Sequence, residues 1–231
     1  MWLNTWTGEF VIKIDRPRYA ILSHVWNVEG EQSYSSTREI QRSVHQQSQM
    51  DQLVSYAYRM SEKIRRACAV ARAHGYRYIW VDSCCIDKTS SAELSEAINS
   101  MFTWYRNASV CYAFLPDVRS NQSPRAHNSD FRESRWFTRG WTLQELLAPE
   151  AVVFLSHDWQ VIGTKSSLAS LIALVTTIPT SVLLCTASLR DFSVARRMSW
   201  ASKRSTTRVE DEAYSLLGIF DINMPTLYGE G

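Results

Sequence analysis

A chain of 231 residues, 45% hydrophobic and 12% aromatic, has enough apolar surface to close a core, which excludes a disordered tail or linker. Its 25 basic and 23 acidic residues leave a net charge of +2, too little to draw it to nucleic acid or an anionic membrane. Five cysteines without framework spacing point to free thiols, and no apolar run approaches bilayer length, so a soluble cytoplasmic protein with no membrane span is expected.

Residues 1–14 read as a hairpin turning at Thr7-Gly8, and residues 19–23 (YAILS) as a short buried strand. The polar stretch 27–50 suggests loop with a marginal helix. Residues 51–74 carry the strongest helical spacing, from Leu53 through Ile64 to Cys68, and Gly75 ends it. Residues 78–82 (YIWVD) form a second strand. Ser90 and Ser91 are placed to cap a helix whose apolar stripe runs from Leu94 to Tyr105.

A third strand covers residues 108–115, and the polar loop 118–135 is expected to be exposed and mobile. Residues 141–147 suit a short helix ended by Pro149, and it stacks Trp141 and Glu145 on one face. A fourth strand follows at 151–155. Helices are predicted over 168–178, 189–204 and 210–219. Strands alternating with helices give an α/β fold, a parallel sheet covered on both faces. In such sheets ligands sit beyond the carboxyl ends of strands, here marked by Ser23, Asp82 and Pro116.

Four phrases, YAILSHVW (19–26), YIWVDSCCIDK (78–88), RGWTLQELLAP (139–149) and TTRVEDEAYSLLGIF (206–220), resemble the fungal heterokaryon-incompatibility (HET) domain in the family's order. That resemblance implies a trigger of programmed cell death after non-self recognition. It also implies the N-terminal part of a longer protein with sensor and nucleotide-binding domains behind it, and the unfinished ending LYGEG agrees. More distantly, YAILSHVW and WTLQEL resemble the Toll/interleukin-1-receptor (TIR) domain. This implies a TIR-like, flavodoxin-like core over about residues 17–160 with a helical tail over 161–231. By the same resemblance Glu145 takes the place of the glutamate that cleaves the nicotinamide–ribose bond of NAD, with NAD as substrate and no separate cofactor.

The remaining candidates are substrate-binding. Ser23, His24 and Trp26 follow the first strand and can line a nucleotide pocket, although Trp26 equally suits the core and His24 a structural hydrogen bond. Asp82, Cys84 and Asp87 lie after the second strand, where an aspartate also commonly caps the next turn. Arg139 can fork onto a pyrophosphate or stand solvated, and Trp141 offers a stacking face. Arg204, Arg208 and Asp211 are expected to tie the tail to the sheet. Metal-site spacing, a histidine partner for a cysteine nucleophile and a glycine-rich phosphate loop are all missing from the sequence. The alternative function is a non-catalytic, self-associating adaptor.

Overall fold

The computed structural model describes residues 1–12, 17–27, 29–45 and 59–229. Seven strands lie in one sheet in the order β2-β1-β4-β3-β5-β6-β7, with helices among them, an α/β fold. The chain divides into two compact units, one of residues 1–22 and 26–94, the other of residues 23–25 and 95–231.

In the first unit β1 (Trp2–Asn4) and β2 (Phe10–Val11) form the expected antiparallel hairpin, whose predicted residues 13 and 14 lie outside the described residues. β1 pairs antiparallel with β4 (Tyr78–Val81), and β4 pairs parallel with β3 (Tyr19–His24), Tyr19 opposite Tyr78. All six residues of β3 are buried, as befits a strand covered on both faces.

Helix α1 (Tyr34–His45) is firmer than its polar sequence suggested, because polar groups find partners inside. Gln41 Nε2 donates to Gly8 O at 2.9 Å, and Thr37 Oγ1 donates to Ser33 O at 2.8 Å. The helix predicted over 51–74 is described only from residue 59 on. There it breaks at Met60–Ser61 and restarts as α2 (Glu62–Ala73), with Ser61 Oγ accepting from Ile64 N. The cap outweighs the unbroken apolar spacing. Gly75, at φ +80°, closes the helix as predicted, and Tyr76 N donates to Ala71 O at 2.9 Å.

Helix α3 (Ser91–Asn107) leads to β5 (Val110–Phe114) in the second unit, and β5 pairs parallel with β6 (Val152–Leu155). The 118–135 segment is exposed over most of its length, as expected, but it is anchored at a few points. Its Phe131 and Ser129 are buried, α4 (Asp130–Glu133) forms within it, and Arg119 clasps Asp130 at 2.6 Å. A single buried phenylalanine anchors an otherwise polar loop.

Helix α5 (Thr142–Leu147) follows as predicted. A strand that sequence reading missed, β7 (Val161–Thr164), pairs antiparallel with β6 across a turn in which Trp159 takes φ +66° and stacks on Phe114 at 4.1 Å. Beyond it come α6 (Ala169–Thr176), α7 (Thr180–Leu183), α8 (Val194–Ser199), α9 (Asp211–Tyr214) and α10 (Leu217–Phe220). The helix predicted over 189–204 is thus split. Ser193 caps a new start by accepting from Arg196 N, leaving a 3-10 turn at Leu189–Asp191.

Candidate functional site

The sequence around Glu145 folds by closing each backbone need with a named partner. Ser134 accepts from Trp136 N and opens a 3-10 turn over Arg135–Thr138. The Trp136 side chain is wholly buried, and its indole N–H donates to Ser23 Oγ at 2.7 Å. Thr142 Oγ1 donates toward Trp136 O at 2.5 Å and Arg139 O at 3.0 Å, so the turn and the start of α5 become one piece.

All six residues of α5 are buried, Glu145 among them at 8% exposure. A carboxylate so placed needs an opposite charge inside the protein. Arg204 supplies it. Burial pulls the Arg204 pKa down to about 9 while Glu145 pushes it back up, which keeps the guanidinium charged at neutral pH. Arg204 Nη1 donates to Arg139 O at 2.8 Å and to Thr142 Oγ1 at 2.9 Å. Its Nη2 is shut off from solvent and has no hydrogen-bond partner among the described residues.

The tail therefore grips the start of α5 rather than a strand. The grip continues in the backbone, where Gly140 N donates to Ser205 O at 2.8 Å and Ser205 N to Thr138 O at 2.7 Å. Glycine is needed at 140, because a Cβ there would stand 2.4 Å from Thr206 Cγ2. At the other end of α5, buried Lys165 donates to Leu146 O at 3.3 Å and to Pro149 O, setting a cation against the helix's negative end. Cys111 completes the surroundings. Burial first, then the Glu145 charge, push its thiol well above the usual range.

The sequence-predicted residues divide between the two units. In the second, Ser23 is wholly buried with its hydroxyl taken up by Trp136, and His24 is buried beside it in the chain. Arg139 and Trp141 are half-buried on either side of Gly140. Neither side chain makes a hydrogen bond among the described residues, so the structure leaves a guanidinium and an indole free just before the Glu145 helix. Trp141 itself is the residue before α5, in helical conformation and without a side-chain cap.

In the first unit, Trp26 is 39% exposed and donates from Nε1 to Asp82 Oδ2 at 2.9 Å, with Lys88 Nζ 3.5 Å from its ring centre. Asp87 caps its own turn, Oδ1 accepting from Thr89 N at 3.0 Å and Oγ1 at 2.6 Å. Glu93 reaches back to Asp87 N at 3.0 Å. Cys84 is wholly buried with its sulfur 4.0 Å from that of Cys85. Among the described residues no three His, Cys, Asp or Glu side chains gather where they could hold a metal ion.

Sequence reasoning missed the positioning residues Trp136, Thr142 and Lys165. Nothing in their neighbours marks them, since each acts through a partner distant in the chain. Arg208 and Asp211, predicted to tie the tail to the sheet, instead meet Tyr228 within the tail itself. The Arg208 guanidinium lies 4.7 Å from that ring's centre, and the Tyr228 hydroxyl donates to Asp211 at 2.8 Å.

The sequence model of the family described as "Heterokaryon incompatibility protein (HET)" matches residues 19–130. The chain is 46% identical over 220 residues to "Vegetative incompatibility protein HET-E-1" of Podospora anserina, a match that takes in 93% of this chain. The chain spans 15% of that relative's length. No solved structure matches it. Among the described residues no helix is long and apolar enough to cross a membrane.

Proposed function

Because the chain carries a heterokaryon incompatibility domain, we propose that it is a cell-death effector of non-self recognition that acts by hydrolysing NAD. One observation carries the chemical half of this reading. A carboxylate is enclosed on a short helix that both ends of the surrounding chain hold in place, directly after an unengaged indole and guanidinium.

The reaction asks for little more. Nicotinamide leaves as a neutral ring when its bond to C1′ of ribose breaks, so no acid is required to expel it. Water adds to C1′ and releases one proton. Between these events the sugar carries positive charge, which a fixed carboxylate stabilises by electrostatics without reorganising. Glu145 takes that role, Trp141 stacks against the nicotinamide or the adenine, and Arg139 holds the pyrophosphate in a bidentate fork. The TIR-like resemblance of WTLQEL supports the same assignment.

A second reading rests on the Arg204 pairing. An enclosed carboxylate under the influence of a tail guanidinium also serves simply to hold a fold, and the domain is then an adaptor that self-associates and recruits other proteins. NAD turnover by the purified domain separates the two. The enzyme reading expects NAD loss that rises more than linearly with protein concentration and on forced dimerisation, since partner contacts complete such sites. It expects Glu145→Gln to lower turnover about a hundredfold. A concentrated domain that kills cells while NAD stays constant decides for the adaptor.

A further inference from the structure

We propose that the unit of residues 1–22 and 26–94 carries a separate ligand site at Trp6, for a small anion with a planar ring, of the nucleotide class. Trp6 sits on the hairpin turn with 65% of its surface exposed. The turn beneath it is fixed. Asn4 Oδ1 accepts from Trp6 N at 2.9 Å and Thr7 N at 3.3 Å, and Gly8 N donates to Asn4 O at 2.8 Å. Thr5 N donates to Arg77 O at 2.9 Å and Thr5 Oγ1 to Tyr76 O at 2.9 Å. An indole held out rigidly into water meets a ligand with little ordering left to do.

Arg72 stands against that indole, its guanidinium carbon 5.2 Å from the ring centre, and donates from Nη1 to Thr5 O at 2.6 Å. The stacked pair is a wall common to two cavities. One, of about 420 Å³, is lined also by buried Met60 and Ile64 and by Arg65 and Arg66. The other, of about 390 Å³, is lined also by Arg77. Four arginines thus line the two cavities that share this exposed ring, and among the described residues the one carboxylate lining either cavity, Glu62, lies 3.6 Å from Arg66. The Arg65 guanidinium makes no hydrogen bond or ion pair among the described residues.

Each part answers a part of one ligand. The open indole face takes an aromatic ring. The apolar floor of Met60 and Ile64 takes its edge, and forked guanidinium groups take phosphate. The volumes are those of small-molecule sites rather than of a polypeptide interface.

ADP is the probe, titrated by calorimetry into the full 231-residue chain. Saturable binding is expected, with adenosine and inorganic phosphate each at least roughly tenfold weaker, because either lacks half of what the site reads. The double change Arg65→Gln/Arg66→Gln alters exposed side chains only. It is expected to weaken ADP about tenfold at an unchanged melting temperature, and Trp6→Ala is expected to do at least as much. The Arg65→Gln/Arg66→Gln change is expected to leave NAD turnover alone, so this proposal and the NAD reading fail independently. Phosphate binding as tightly as ADP would reduce the site to a plain anion patch. Affinity unmoved by Arg65→Gln/Arg66→Gln, or no saturation at millimolar ADP, overturns it outright.

Discussion

The two segments that carry the candidate carboxylates are built on opposite plans. From Asp82 to Glu93 most contacts are local: Asp87 holds Thr89, Ser90 caps the next helix, and Glu93 reaches back six residues to Asp87. From Ser134 to Leu147 they are remote. The Trp136 indole finds Ser23, 113 positions earlier, and Thr142 is held by Arg204, 62 positions later. A locally built loop survives the loss of one member, whereas a remotely clamped one transmits the loss to everything it holds.

The contrast is sharpest at Glu145. Glu145→Gln removes the negative charge that acts on half-buried Arg204, and a loss of about 1–3 kcal/mol is expected, read as a lower denaturation midpoint. The double change Glu145→Gln/Arg204→Met removes both charges and is expected to recover most of that stability. NAD turnover is expected to stay about a hundredfold down in both. Recovered turnover in the double variant would show that Glu145 acts only by holding the fold.

Gly140→Ala tests the clamp without touching a charge. The new methyl meets Thr206 Cγ2, so a loss of about 1–3 kcal/mol is expected, together with lower turnover. Adding Thr206→Ser deletes the methyl it meets and keeps the hydroxyl, and is expected to restore both. If stability returned without activity, the 205 bridge would not be positioning the helix.

Trp26→Phe probes the other plan and carries the smallest effect. It removes the hydrogen bond to Asp82 but keeps a ring for Lys88, at a cost below about 1 kcal/mol on an exposed residue. A stability loss as large as that of Gly140→Ala would end the distinction between the two segments.

The same division decided what was legible beforehand. The strands at 19–24, 78–81, 110–114 and 152–155 announce themselves by unbroken apolar runs, and the short helix by its proline stop. Asp87 as a turn cap was among the alternatives because its partners are two residues away. By contrast β7 reads as nothing special, since VIGT is a strand only because Leu155 and Phe154 pair with it. The burial of Glu145 was invisible for a related reason. An amphipathic reading places a glutamate outward by default, and the guanidinium that acts on this one comes from the far tail.

The clamp at Arg204 also has a consequence in time. A ribosome finishes the helix and β6 long before it makes their fastener, because 62 more residues must follow Thr142 until Arg204 exists. Throughout that interval the Arg204 charge that acts on Glu145 is missing and Gly140 has no Ser205 to meet.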